Sequence, residues 1–229
     1  MSFAAVLVPL LLLAADAARS EPTPAPTARP FEATSVHSFE DVERWKKVFD
    51  DPSRDEWQRP GEVVAALRVR AGMRVADLGA GTGYFLGHLA RAAGETGTVF
   101  AADTGPNLVA HLRARAEQEG LGNVVPVLAS ANDPRLPRSA VDLILIVDTY
   151  HHIDDRLRYF RGLERALAPG GRVAVIDWQE RPLPVGPPPE HKLTRRQVVE
   201  EMTAAGYTLA EEPSFLPYQY FLVFEPGRE

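Results

Sequence analysis

The chain of 229 residues contains no cysteine at all. This excludes disulfide staples, thiolate metal sites and any cysteine nucleophile in one stroke. Long basic runs are missing too, and the formal net charge is −6. A protein that grips a duplex must neutralise its phosphates with clustered Lys and Arg. Here the cluster of Arg113 and Arg115 and the pair Arg195-Arg196 read as solvated helix faces, so nucleic acid is set aside as a partner. Nor is there an apolar run of the ~20 residues that a membrane-spanning helix needs. What remains is ordinary: 45% hydrophobic and 24% charged residues, enough to bury a core without staples.

The longest apolar stretch lies at the amino terminus. Residues 3–15 are apolar except for breaks in character such as Pro9, and they lead into Ala15-Asp16-Ala17-Ala18, small residues of the kind a signal peptidase requires. Residues 1–18 therefore read as a signal peptide, although Met1-Ser2 carries no Lys or Arg. Export to the periplasm or medium follows if the leader is real; otherwise the protein is cytoplasmic, and membrane contact is limited to an uncleaved leader. Residues 19–30 alternate proline with threonine, alanine and charged side chains, a composition that gives an extended tether. The folded domain is expected over 31–229.

Within that domain, hydrophobic period alternates between strand and helix. Helical patterns fall at 41–49, 61–68, 84–93, 107–119, 156–167 and 194–205. Strand-like runs fall at 73–78, 98–102, 124–128, 141–147 and 172–176, and 207–211 and 219–224 follow one another as two final strands. The run 141–147 is apolar except for Asp142, as expected for a central strand covered on both faces. The whole reads as α/β: a doubly wound, mostly parallel seven-stranded sheet whose last strand is antiparallel.

Chemistry concentrates where the first strand meets its helix, in Asp77-Leu78-Gly79-Ala80-Gly81-Thr82-Gly83-Tyr84. Glycines allow a tight turn and close approach of a ligand, and the following helix offers N–H groups and positive potential. A dinucleotide fingerprint requires Gly-x-Gly-x-x-Gly, yet its third glycine falls on Tyr84 or Leu86 in the two possible registers. A phosphate-cradling loop would end in Gly-Lys-Ser/Thr, which is absent.

From about Trp45 onward the chain resembles the class I S-adenosylmethionine (SAM)-dependent methyltransferases. The resemblance implies SAM as cofactor, with Asp77 opening the first motif and Gly79, Gly81 and Gly83 wrapping the methionine part. It assigns the ribose hydroxyls to Asp103, since a carboxylate accepts two hydrogen bonds from a vicinal diol. Ser130 stands where the family usually has an acid facing the adenine, which moves that contact to Asn132 or Asp133. The segment Asp148-Thr149-Tyr150-His151-His152-Ile153 is similar to that of the quinone-biosynthesis type and other small-molecule methyltransferases; it adds Asp148 to the cofactor residues. His151 or His152 is the candidate base, because imidazole titrates near working pH and strand carboxyl ends face the ligand crevice.

The expected reaction is direct displacement onto a small-molecule acceptor. Absence of cysteine removes the arsenite and cytosine C5 routes, and absence of an Asn/Asp-Pro-Pro-Tyr motif argues against amino groups of DNA bases. A metal-assisted O-methyltransferase reading would use Asp148 and Asp177, but Trp178 replaces the Asn that such enzymes place after the second acid, so no metal is expected. A non-catalytic ligand- or partner-binding protein on the same fold is the alternative. Trp45, Phe49 and Trp57, upstream of the turn, are candidates for a lid or for plain core packing. If the leader functions, protein recovered from a secreting bacterial host begins at Arg19 on N-terminal sequencing; retention of Met1 would sink the export reading.

Overall fold

Apolar strands alternating with amphipathic helices can bury both faces of a parallel sheet, and the chain does so. The computed structural model describes Met1, Ala33 and residues 41–227. The expected leader and linker, apart from Met1, lie outside the described residues. The strands are β1 (Arg74–Leu78), β2 (Thr98–Asp103), β3 (Val124–Leu128), β4 (Val141–Val147), β5 (Leu167–Trp178), β6 (Tyr207–Glu211) and β7 (Gln219–Pro226). They form one sheet in the order β3-β2-β1-β4-β5-β7-β6. The first five run parallel, while β7 is inserted antiparallel between β5 and β6. The helices are α1 (Val42–Phe49), α2 (Arg54–Gln58), α3 (Pro60–Ala66), α4 (Leu86–Ala93), α5 (Pro106–Gln118), α6 (Arg156–Leu163) and α7 (Arg195–Ala204). No described helix is long and apolar enough to cross a membrane.

Two apolar layers sandwich the sheet. One, with α6 and α7, gathers Ile144, Ile146, Phe160, Leu163, Val198 and Phe224. The other, with α3 and α4, gathers Val63, Leu67, Leu86, Leu89, Leu143 and Leu145. The β4 residues Leu143, Ile144, Leu145 and Ile146 are fully buried, which stabilises the fold by about 1.5–3 kcal/mol per side chain. Asp142, the polar exception in β4, accepts hydrogen bonds from the Arg74 backbone N–H (2.8 Å) and guanidinium (2.9 Å). It thereby sets the register of β1 against β4.

Several elements differ from the sequence reading. Helix α6 ends at Leu163 and gives way to a 3₁₀ turn at Glu164–Ala166. Pro169-Gly170-Gly171, residues of the kind that close a helix and that follow the helical pattern at 156–167, then lies inside β5. The β4–β5 register jumps from Val141↔Leu167 to Leu143↔Arg172, so this tripeptide forms a bulge. A side chain on Gly171 would come within 2.8 Å of the Val141 carbonyl oxygen. The second difference is α2, which follows Asp51-Pro52 and, at five residues, has too short an apolar pattern to register as a helix. Helix α4 also begins at Leu86, two residues later than its periodicity suggests.

Beneath the crevice, α6 and α7 are tied by a buried ion pair. Arg156, fully buried, places Nε 2.6 Å and Nη2 3.0 Å from the Glu201 carboxylate, which also accepts the Tyr150 hydroxyl at 3.0 Å. Truncating one partner strands the other's charge in an apolar setting. Glu201→Leu is therefore expected to cost about 3–5 kcal/mol in urea unfolding; a change under 1 kcal/mol would show that the pair is solvated.

Candidate active site

Strand β1 ends in the glycine turn, and all three glycines take positive φ: 77° at Gly79, 57° at Gly81 and 87° at Gly83. The reasons for glycine differ along the turn. A Cβ on Gly79 would lie 2.4 Å from the Thr149 side chain, so glycine there lets the segment after β4 close against the turn. At Gly81 a Cβ would meet only the Phe49 ring at an ordinary 3.6 Å, and the left-handed backbone alone demands glycine.

Asp103, the last residue of β2, holds this turn from beside. Its Oδ2 accepts the Gly81 N–H at 2.9 Å and its Oδ1 accepts the Gly105 N–H at 2.9 Å. It does not cap α5, whose N-cap is Gly105. Burial raises its carboxyl above the ordinary value, against the pull of these N–H groups. Asp77 is buried under the turn, and burial pushes its carboxyl up to about 7, with Arg54 pulling the other way. Asp148 follows β4 with a left-handed φ of 52°. Burial pushes it too up to about 7, opposed chiefly by Arg54 and, among lesser influences, by a hydrogen bond from Gln219. The Gln219 Nε2 to Asp148 Oδ1 distance is 2.6 Å.

The histidine pair lies on a 3₁₀ turn, Tyr150–His152. His151 is buried, with Nδ1 2.9 Å from both carboxylate oxygens of the equally buried Asp177 in β5. Burial presses the ring toward neutrality, but Asp177 outweighs it and the net shift is upward. His152 is half-buried and its ring centroid lies 4.1 Å from that of His151. The structure thus brings Asp77, the three glycines, Asp103, Asp148 and the His pair to one end of the sheet. Asn132 is exposed on the loop after β3, its Oδ1 3.2 Å from the Ser130 hydroxyl. Neighbouring Asp133 is committed to Arg165 at 2.7 Å.

Helices α1 and α2 cover the turn. Trp45 stacks on Phe49 at 5.0 Å, and Phe49 faces Gly81. Asp50 accepts the Thr82 hydroxyl (2.8 Å) and pairs with Arg115 (3.2 Å), which also donates to the Thr82 carbonyl. Arg115 is therefore a tie between α5 and this cover, where the sequence suggested a solvated face. Trp57 packs against Trp178 (5.2 Å) and Tyr218 (6.1 Å). Sequence reading also missed Arg54, Gln58 and Gln219, whose partners lie far along the chain; Pro52 before α2 was the only visible sign of a new element. Among the described residues no group of three or more His, Asp and Glu is placed to hold a metal ion.

The sheet order, the antiparallel β7 and the glycine turn between β1 and α4 give the chain the Rossmann-like fold of the class I SAM-dependent methyltransferases, the family that the comparisons support. Residues 75–171 match the family described as methyltransferase domain. Ubiquinone/menaquinone biosynthesis C-methyltransferase UbiE from Pseudoalteromonas translucida is 30% identical over 138 residues, covering 60% of this chain and 51% of the relative. UbiE from Vibrio vulnificus is 34% identical over 112 residues, 48% of this chain and 43% of the relative. The chain thus spans about half the length of the curated relatives it matches. A SAM-dependent methyltransferase structure from Aquifex aeolicus superimposes with a TM-score of 0.77 at 28% identity, covering 82% of this chain and 98% of that one. SAM is the cofactor of this family. The residues present fit it, since acids around a glycine turn, Asp77 buried and Asp103 and Asp148 half-buried, favour a ligand that brings positive charge.

The upward shifts have a sign that can be checked. A carboxyl whose folded pKa exceeds its unfolded value of roughly 4 loses stabilisation as pH rises through the interval between them. For Asp77 and Asp148 that interval runs up to about 7. The ligand-free protein should therefore melt at a higher temperature at pH 5 than at pH 8, and Asp148→Asn should flatten that slope. An unchanged slope in the variant would show that Asp148 is ionised across the whole range.

Proposed function

We propose that this protein transfers a methyl group from SAM to a small-molecule acceptor by direct displacement, in the crevice at the carboxyl ends of β1, β2 and β4. The observation that carries this reading is the grouping of Asp77, Asp103 and Asp148 around one glycine turn, with burial opposing the charge of each. A neutral or anionic nucleotide would worsen that imbalance; a sulfonium amino acid joined to a nucleoside relieves it.

When bound, SAM supplies an electrophilic methyl on positively charged sulfur. On this reading Asp103 receives the ribose hydroxyls, and Asp77 and Asp148 present negative charge to the ammonium and sulfonium. The glycine turn aligns the methionine part, and Asn132 lies on the loop nearest the adenine end. Alignment of the two reactants contributes the larger share of rate, because the displacement needs little covalent help from the protein. On this reading Asp177, beside Nδ1 of His151, orients the ring that takes a proton from the acceptor. His152, the more exposed ring, borders the acceptor side. Phe49 and Trp45 exclude water from above, which favours a reaction in which charge on sulfur disappears.

The C-methyltransferase names of the curated relatives support an acceptor that is a carbon acid, the kind that benefits from such a base. Export, if the leader acts, would place this chemistry outside the cytoplasm. Isothermal titration tests the cofactor: the wild type should bind SAM, and Asp103→Ala should weaken binding by about tenfold or more through loss of charged hydrogen bonds. Mass spectrometry of a metabolite extract incubated with methyl-labelled SAM should reveal a labelled acceptor, and His151→Asn should lower kcat by about 100-fold or more. Failure of the wild type to bind SAM would overturn the reading.

A further inference from the structure

Arg54 connects α2 to the crevice through a closed ring of side chains. Its Nη2 lies 3.3 Å from Asp148 Oδ2, and its Nε and Nη2 donate to Gln58 Oε1 at 3.3 and 3.1 Å. Gln58 Nε2 donates to Gln219 Oε1 at 2.7 Å, and Gln219 Nε2 returns to Asp148 Oδ1 at 2.6 Å. Gln58 and Gln219 are buried, so each amide is held in one orientation by the ring. The guanidinium also stacks 4.1 Å over the Tyr84 ring and donates to the Phe49 carbonyl at 3.1 Å. Only 11% of its side-chain surface is exposed, so water screens it weakly. After the cost of burial, Arg54 is the largest electrostatic influence on both Asp77 and Asp148.

We propose that Arg54 sets the preference of this site between the charged cofactor and its neutral, demethylated product. The inference rests on the methyl-transfer reading above. SAM carries an ammonium, a carboxylate and a sulfonium, a net charge of +1. S-adenosylhomocysteine lacks the methyl and the sulfonium charge and is otherwise the same molecule. Any group that contacts only the shared parts affects both ligands alike. A fixed positive charge at Asp148 does not: it opposes the sulfonium and is indifferent to the neutral sulfur. Asp77 and Asp148 act in the opposite sense. By offsetting them, Arg54 keeps the ground-state sulfonium from being held more tightly than the transition state, in which that charge is already dispersing.

Titration of the full chain with SAM and with S-adenosylhomocysteine tests this directly, because effects on cover packing cancel in the ratio of the two Kd values. Arg54→Met should shift that ratio toward SAM by about tenfold, while Arg54→Lys stays within about threefold of wild type. Gln58→Met, which breaks the ring without changing charge, should leave the ratio unchanged. Should Arg54→Met fail to fold, Arg54→Gln carries the same expectation. An unchanged ratio in the neutral variant, or an equal shift in Gln58→Met, overturns the proposal while leaving methyl transfer intact. A wild type that binds neither ligand overturns the methyl-transfer reading, and this inference with it.

Discussion

Everything at the carboxyl end of the sheet is arranged around carboxylates that burial would rather see neutral. Each is compensated differently. Asp103 is held by backbone N–H groups from two loops, which ties the glycine turn to the end of β2. Asp148 sits in a left-handed conformation and is reached by Arg54 and Gln219. Asp77, deepest of the three, has its burial offset chiefly by the nearby field of Arg54. Helices α1 and α2 make sense in this light: they carry a cation and an aromatic face to a place where β1 and β2 supply acids.

The sheet was legible because its signal is periodic and local. Runs such as 141–147 can sit only in the middle of a parallel sheet, and two strands in succession at the end announce an antiparallel neighbour. Legibility failed where local chemistry was ambiguous. Pro169-Gly170-Gly171 looks like a helix stop, yet a bulge within a strand needs the same residues, and only the close approach of Gly171 to the Val141 carbonyl decides between them. Five residues of α2 are too few to show a helical period.

The site divides along the same line. Asp77, the glycines and Asp103 could be read because turn chemistry fixes their spacing along the chain, and their positions relative to one another follow from β1 and β2 being neighbours. The His pair was visible as residues of the right kind at a strand end, but its partner Asp177 was visible only as a candidate metal ligand, since pairing depends on β4 and β5 lying side by side. Arg54, Gln58 and Gln219 were beyond reach. Their contacts join residues 94 and 161 positions apart, and no local pattern encodes such a meeting.

Helix α1 contributes no buried residue to the fold. It is seated by polar ties from Asp50 and by the Phe49 ring against Gly81, while none of its residues lies in the two apolar layers. The family match likewise begins at Val75, after the covering helices. Helix α1 is thus a roof physically separable from the foundation, whereas α2 is tied to it through buried Gln58. Substitutions in the roof can reshape which molecules fit beneath it at little cost to folding, so a lineage can diversify its chemistry there while the strands below stay fixed.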